Sequence, residues 1–297
     1  MNVHRLTLSV PTDYSLKRSL TSLCSRRRDP TICPGDRHAS FSLLTPDEPV
    51  VVGAKLSGKC LDIETEGSGT CWLRPKLTEL FGLQDNPRLF TPAGRVRDLL
   101  KRFPSTRPPR LPVVFQRLVQ IVLHQLVAWG EASDGWRLMT RRYGETAPGE
   151  SGLLVGPTPA KLRSLAWYDL VTCDILPRHA RLILKLTREH SRIERIWSAG
   201  DKKLIECLCR IPGIGEWTIQ KLRGSCLGDS DAAVTGDYGL PHCVCWYFRR
   251  QPRSTNEEIL ELLEPYRGHR YRVQQLLMHA GIRAPRRGPR SRVRSWK

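Results

Sequence analysis

The clearest guide to the fold is a change of pattern between residues 104 and 112. Ahead of it, short β-favouring runs are separated by Pro, Gly and Asp, and two short helices are predicted, over Arg74–Gly82 and Val96–Phe103. The segment Pro104–Pro112 holds four prolines and two arginines, a composition typical of a boundary between domains. The strands are predicted over Val3–Val10, Ser40–Leu44, Val50–Leu56 and Cys60–Glu64.

After this boundary, apolar residues recur at helical spacing, with caps or Pro and Gly between the runs. Ser254 and Glu257 form a capping-box pattern ahead of Ile259. The fold class is therefore predicted as α+β, with a β-rich N-terminal domain (1–108), an all-helical domain (109–283) and a basic C-terminal tail (284–297). Helices are predicted over Val113–Val127, Trp136–Tyr143, Pro159–Leu165, Pro177–Trp197 and Asp201–Cys209.

The net charge of the chain limits the classes of molecule that it is expected to bind. It has 48 Lys plus Arg against 29 Asp plus Glu, a net charge of +19, which favours binding to nucleic acid or to an anionic membrane surface. No apolar run approaches the ~18 residues that span a bilayer, and no signal-peptide core is present. We therefore expect nucleic acid rather than membrane, and a reducing compartment (cytoplasmic, or nuclear in a eukaryote).

Ten cysteines are scattered along the chain. The close pairs Cys207/Cys209 and Cys243/Cys245 are separated by one residue, whereas zinc and iron–sulfur loops usually need two or more. The spacing favours buried structural thiols over metal ligands.

The strongest local signal is the run Ile211-Pro-Gly-Ile-Gly-Glu-Trp-Thr218 between two helical stretches. Pro212 ends the first helix, and Gly213 and Gly215 allow a tight turn and the close approach of another backbone. The helix that starts near Glu216 presents free N–H groups and a positive dipole end, a site for one DNA phosphate. The alternative is an αα-hairpin turn that only packs.

A single carboxylate stands out further along the chain. Asp237 follows Gly236 and precedes a helical run, so it is predicted to accept backbone N–H bonds as an N-cap. Such bonds would also hold the carboxylate ionised at neutral pH. Capping and a chemical role are compatible, because a carboxylate that accepts backbone N–H bonds is held in one orientation and stays charged.

Taken together, the hairpin and the run Val234-Thr-Gly-Asp-Tyr-Gly-Leu240 resemble the motif of the helix-hairpin-helix (HhH-GPD) DNA glycosylases. Asp237 follows Gly215 by 22 residues, a spacing similar to that of the 3-methyladenine DNA glycosylase II (AlkA-type) branch. Residues 124–127 resemble the loop whose Gln-Leu pair enters the minor groove, and residues 263–272 and 285–290 resemble the C-terminal region. The resemblance covers roughly residues 110–291.

The resemblance implies a monofunctional DNA glycosylase that excises alkylated bases in base excision repair. Asp237 would stabilise the oxocarbenium-like sugar and accept a proton from the attacking water. Trp217 and Tyr238 would line the pocket of the flipped base, although Trp217 could instead be a core residue and Tyr238 a structural one. The implied DNA-binding residues are Gln125, Leu126, Gly213, Gly215, Glu216 and Thr218.

Two residues carry the finer points of that interpretation. Leu126 is the candidate wedge that fills the gap left by the base, the alternative being an ordinary core leucine. Trp217 stands where bifunctional relatives have a lysine that attacks the sugar, and an indole cannot do so. The nearest lysine is Lys221, one helical turn further, so its ammonium would start about 6 Å along the axis.

The resemblance also implies a sodium or potassium ion held by the backbone carbonyls of Cys209, Ile211 and Gly213. No cofactor is expected to be required. Relatives with a [4Fe–4S] cluster place four cysteines after the aspartate, and only two follow it here, so no cluster is expected. The expected partner is double-stranded DNA containing damaged bases, bound by a monomer.

Two residues depart from the pattern: His124 replaces the usual Gly, and Glu216 puts an acid near the expected phosphate. Two other functions stay open. One is a glycosylase for oxidised purines such as 8-oxoguanine, against which Trp217 counts. The other is a non-catalytic helix-hairpin-helix DNA-binding protein, against which Asp237 at its spacing counts.

Overall fold

A five-stranded antiparallel sheet forms much of the N-terminal half. The structure, a computed structural model, describes residues 3–24, 28–46, 48–103, 107–237 and 239–285. The strand order is β1-β5-β4-β3-β2. The strands are β1 (Val3–Ser9), β2 (Ile32–Cys33), β3 (His38–Leu44), β4 (Pro49–Ser57) and β5 (Cys60–Glu66).

Alternation of apolar residues explains the sheet. On β5, Leu61 and Ile63 are buried, and Ile63 lies opposite Leu6 of β1 and Ala54 of β4. The β4–β5 hairpin turns at Gly58, whose φ of +61° suits a residue without a Cβ. All four predicted strands are present within a few residues of their bounds. The two-residue strand β2 was not predicted, since so short a run has no detectable pattern.

Helices make up most of the remaining described chain. The N-terminal half contributes α1 (Leu16–Thr21), α2 (Thr70–Leu73), α3 (Leu77–Leu80) and α4 (Gly94–Arg102). They are followed by α5 (Phe115–Leu123), α6 (Trp129–Tyr143), α7 (Pro159–Arg163), α8 (Trp167–Val171), α9 (Pro177–Arg188), α10 (His190–Ser198), α11 (Asp201–Cys209), α12 (Glu216–Cys226), α13 (Leu240–Arg249), α14 (Asn256–Leu263) and α15 (Arg270–His279). A small two-stranded sheet, β6 (Glu145–Thr146) and β7 (Leu154–Val155), follows α6. Among the described helices, none is long and apolar enough to cross a membrane. The predicted α+β class is confirmed.

Three local predictions were wrong. The helix predicted over Arg74–Gly82 is a 3-10 turn at Arg74–Lys76 followed by α3, because Pro75 lacks the N–H that a continuous helix needs. The helix predicted over Pro177–Trp197 is two helices that meet at Glu189, and both pack on α5. The capping box lies one residue later than predicted, with Thr255 and Glu258 exchanging hydrogen bonds.

The main apolar core runs without a break from the sheet to the helices. It joins Phe41 and Ile63 of the sheet to Leu118 of α5 and Leu222 of α12. A second core packs α4 against α13, α14 and α15. The N-terminal half and the C-terminal helices are also joined by a hydrogen bond in which the buried guanidinium of Arg272 donates to the Asp85 carboxylate at 2.7 Å. These contacts hold the α5–α6 loop, the α11–α12 turn and the start of α13 in fixed relation.

Candidate active site

The α11–α12 hairpin is closed by its own backbone and by two buried isoleucines. The N–H of Ile214 donates to the carbonyl of Ile211 at 3.0 Å, and both side chains belong to the main core. Gly213 has φ +99°, and a Cβ there would lie 3.0 Å from Cδ2 of Leu182. This glycine is therefore required by the turn itself.

Gly215 is different, because its backbone is ordinary and its surroundings are empty. Its φ is −102° and ψ −179°, and nothing of the described chain lies within 4 Å of where a Cβ would stand. The close approach that sequence analysis expected is thus not made by the protein's own described backbone. The free space lies where α12 begins and exposes its unpaired N–H groups.

The α5–α6 loop (residues 124–128) is fastened to this hairpin by one side chain. Nε2 of Gln125 donates to the carbonyl of Gly213 and to Oγ1 of Thr218, both at 2.9 Å. Thr218 is 2% exposed, so its hydroxyl positions the loop and its backbone N–H is the group near the open helix end. Gln125 therefore sets the distance between loop and hairpin.

Leu126 follows at once and points away from the protein. Its side chain is 85% exposed, and its backbone adopts φ +55°, a conformation rare for a residue with a γ-branched side chain. Leu126 is therefore not a core leucine. A left-handed non-glycine residue costs about 1–3 kcal/mol, so the rest of the loop must hold it in place.

Asp237 is not the N-cap of α13 that sequence analysis predicted, because Gly239 holds that position and Asp237 lies two residues earlier, in the loop before the helix. Its Oδ1 accepts the N–H groups of Gly239 at 2.8 Å and Leu240 at 3.4 Å. The same loop is held by buried Gln274, whose amide accepts from the N–H of Val234 at 3.0 Å and donates to its carbonyl at 2.8 Å. The carboxylate is thereby oriented by backbone on one side and keeps part of its surface open.

His124, at the start of the α5–α6 loop, is one neighbour of Asp237. Its Nδ1 lies 2.8 Å from the carbonyl of Gln120, and its ring meets that of Trp129 edge to face at 5.4 Å. Burial, with smaller effects of the nearby cations Arg117 and Lys221, lowers the pKa of His124 to about 4. The imidazole is therefore neutral at physiological pH.

Lys221 is the second neighbour of Asp237, one helical turn after Trp217 on α12. Its Nζ lies 5.7 Å from the ring centroid of Trp129, within electrostatic range of Asp237. Burial lowers the pKa of Lys221, and the Asp237 carboxylate opposes that shift.

The remaining predicted site residues occupy the hairpin and its surroundings. Trp217 is partly buried and packs against the cluster of Val234 and Leu240, and its buried Nε1 has no hydrogen-bond acceptor among the described residues. The Glu216 carboxylate accepts from Nε2 of Gln220 at 2.6 Å, which draws it along α12. Tyr238 lies outside the described residues.

The carbonyls expected to hold a monovalent cation are partly engaged. The Gly213 oxygen accepts from Gln125, and the Ile211 oxygen accepts from Ile214. Each carbonyl oxygen has a second lone pair, so a cation could still share them. The cation stays a prediction, and none of the chemistry below passes through it.

Two residues near the site were not singled out by sequence analysis. Trp129, 39% exposed, contacts both His124 and Lys221 from the first turn of α6. Arg178 on α9 lies with its Nη2 3.5 Å from the carbonyl of Gln125. Neither residue carries a sequence signal of its own, because their importance comes from contacts across the fold.

The fold is shared with solved DNA glycosylases. No protein-family model and no curated protein matches the chain. The 3-methyladenine DNA glycosylase from Archaeoglobus fulgidus superposes with a TM-score of 0.76 at 19% identity, over 92% of this chain and 97% of that one. MBOgg1, solved with a low-affinity DNA ligand, gives 0.73 at 15% identity, over 94% and 97%. The Clostridium acetobutylicum 8-oxoguanine glycosylase/lyase gives 0.70 at 13%, over 93% and 95%.

These neighbours act on different lesions according to their names, and each is less than 20% identical to this chain. The likeness shows that the chain has the fold that these DNA glycosylases share.

Proposed function

We propose that this protein is a monofunctional DNA glycosylase that hydrolyses the N-glycosidic bond of alkylated bases. The observation that carries the proposal is the bridge made by Gln125, which places a strained, exposed Leu126 beside the open hairpin. The same loop begins with His124, a neighbour of Asp237. Leu126, the open end of α12 and Asp237 therefore lie near one another, which supports roles as wedge, phosphate site and catalytic carboxylate.

Double-stranded DNA would be bound first through its phosphates. The chain carries a net charge of +19, which attracts a polyanion by release of counterions. The open space at Gly215 leaves the first N–H groups of α12 accessible to one phosphate oxygen. Arg178 beside the α5–α6 loop adds a cation on the same edge.

The damaged base would then leave the helix. Unstacking costs a few kcal/mol, roughly, and an apolar wedge offsets this by filling the gap. Leu126 is 85% exposed and loses no packing when it enters the duplex. Trp129 and Trp217 offer aromatic surfaces against which an extruded base could stack.

Asp237 would carry the chemical step. As the C1′–N bond lengthens, positive charge develops on the sugar, and a fixed carboxylate stabilises it. The N–H bonds from Gly239 and Leu240 hold the carboxylate in one orientation without extra ordering during the reaction. Asp237 would also accept the proton of the attacking water. Trp217 offers no amine, which supports hydrolysis without strand cleavage.

The test is base release from alkylated duplex DNA by the purified protein, measured beside Asp237→Asn. We expect the variant to lose at least a hundredfold in single-turnover rate while its DNA affinity stays close to wild type, because the charge acts in the transition state. Asp36→Asn, which removes an exposed carboxylate whose ion-pair partner among the described residues is Lys17, is the matched control and should react normally. Binding without any release by the wild type would favour the non-catalytic alternative.

A further inference from the structure

Nζ of Lys221 on α12 is a hydrogen-bond donor without an acceptor in the described part of the chain. The side chain is half-buried. In the described part of the chain, no carboxylate lies within ion-pair distance and no hydrogen-bond acceptor contacts its Nζ, whose neighbour is the Trp129 ring at 5.7 Å. A half-buried donor that lacks a protein acceptor is available to hydrogen-bond a group that enters the site.

The charges around this ammonium define the electrostatics of the pocket. Asp237 is the anion that faces it, whereas Arg117 on α5 is a second, deeply buried cation. The Arg117 guanidinium is occupied, since it donates to Ser225 and Gln120. His124 contributes no charge at physiological pH because its pKa is about 4. The base pocket therefore contains one free cation close to the carboxylate among the described residues.

We propose, on the basis of the function proposed above, that Lys221 directs this enzyme toward uncharged lesion bases rather than N-alkylated cations. A fixed positive charge on a base such as 7-methylguanine would be repelled by the ammonium. An uncharged base, such as the bridged alkylation product 1,N6-ethenoadenine, offers ring nitrogens that can accept its hydrogen bond. Lys221 is thus a specificity-determining residue.

The same residue would assist the departure of an uncharged base. When the C1′–N bond breaks, the electron pair goes to the base, and a base that was neutral would leave as an anion. The Lys221 ammonium can donate its proton to a ring nitrogen of that base, so the base departs neutral. Water adds its oxygen to C1′ and its proton passes to Asp237. Asp237 then releases that proton to solvent, and solvent returns one proton to Lys221, so both groups regain their starting states. A cationic base leaves neutral without this help.

The experiment compares single-turnover release of 1,N6-ethenoadenine and 7-methylguanine from matched duplexes by wild type and Lys221→Met. We expect the variant to lose at least tenfold in the ratio of the neutral to the cationic rate, in line with the loss of one transition-state donor. Lys221→Arg, which keeps charge and donor, should recover part of the ratio. Lys55→Gln removes one exposed cation from β4 and should leave the ratio unchanged.

The outcomes separate the two proposals. An unchanged ratio in Lys221→Met, with Asp237→Asn abolishing release of either base, overturns the role of Lys221 and leaves the glycosylase function standing. Release of neither base by the wild type contradicts both. Thermal melting of each variant verifies folding, and Lys221→Met should melt no lower than wild type because it removes a half-buried donor that has no acceptor among the described residues.

Discussion

The two loops that meet at the site each contain a residue with positive φ, but the residue type differs between them. In the hairpin, the residue with positive φ is Gly213, at +99°. In the α5–α6 loop it is Leu126, at +55°, with 85% of its side chain exposed. Glycine adopts such a conformation without steric cost, whereas leucine does not.

The difference separates what the fold needs from what a ligand would need. Gly213 packs beneath Leu182 and lets the chain turn, so the fold accounts for it. Leu126 adds strain and buries almost nothing, so the fold alone gives it no purpose. Strain held at an exposed position is the signature expected of a residue that works on something outside the protein.

Alanine substitutions at the two hairpin glycines should have the largest and most different effects on the free energy of unfolding. Gly213→Ala places a side chain at φ +99° and 3.0 Å from Leu182, and should lower the free energy of unfolding by about 1–3 kcal/mol. Gly215→Ala meets nothing within 4 Å in an ordinary backbone conformation, so the stability should hold. Chemical denaturation measures both changes.

The same pair of variants tests the phosphate site. A methyl group at residue 215 would occupy the open space where we expect a phosphate, so DNA affinity should fall at least tenfold at constant salt. Binding by Gly215→Ala equal to that of the wild type would show that no phosphate approaches this hairpin.

Leu126→Asn tests whether the exposed leucine of the α5–α6 loop serves extrusion of the base rather than stability. Asparagine tolerates positive φ better than leucine, so stability should stay within about 0.5 kcal/mol of wild type or rise. Excision should slow about tenfold from a stable base pair and less from a mismatch, because a wedge matters most where extrusion is costly. Leu89→Asn, which removes another exposed leucine (72% exposed), serves as the control. Equal slowing on both substrates would remove Leu126 from the extrusion step.

Sequence alone predicted the fold class, four strands and the hairpin, because each has a strong local signal. Alternating side chains mark the strands, and Pro212 with two glycines marks the turn. The candidate carboxylate was singled out by its spacing from the hairpin, although the predicted N-cap position of Asp237 belongs to Gly239. Sequence analysis further singled out Gln125 and Leu126 through their resemblance to a known loop.

What sequence could not supply is the set of contacts between distant segments. The approach of Lys221 to Asp237 and Trp129 depends on how α12 packs against α5 and α6, which no local pattern encodes. The break at Glu189 was missed for a similar reason, since the apolar spacing continues through it while the two helices pack separately on α5. Tertiary packing decides both features.

Two histidines at the α5–α6 loop should make the free energy of unfolding depend on pH. His124 and His179 both contact the α5–α6 loop, and burial lowers each pKa from 6.5 to about 4. As pH falls below 6.5 the unfolded chain binds these protons first, so their contribution to stability is lost between pH 6.5 and 4. Glu194, whose pKa burial raises from 4.5 to about 7, acts in the opposite direction as pH rises.

We therefore expect the free energy of unfolding to rise from pH 4.5 to pH 6.5, since three histidines with a pKa of about 4 (His124, His179 and His279) oppose one glutamate. His124→Gln should reduce this rise, and His38→Gln, which changes an exposed histidine of β3, should not. Chemical denaturation at the two pH values gives the comparison. A rise of the same size in His124→Gln would mean that His124 is already protonated or solvated in the folded protein.

The last prediction is a negative result: no covalent protein–DNA intermediate should be trapped during turnover. The hairpin side of the pocket presents the indole of Trp217, which cannot form an imine, and the amine that faces Asp237 is Lys221. Burial lowers the pKa of Lys221 and the Asp237 carboxylate opposes that shift. While the amine keeps its proton it has no lone pair with which to attack C1′. Borohydride added during turnover should therefore trap no protein–DNA complex, and a gel run before alkali should show an intact strand. Lys221→Met is the matched control, because a trapped band in the wild type that disappears in this variant would replace hydrolysis by imine formation at Lys221.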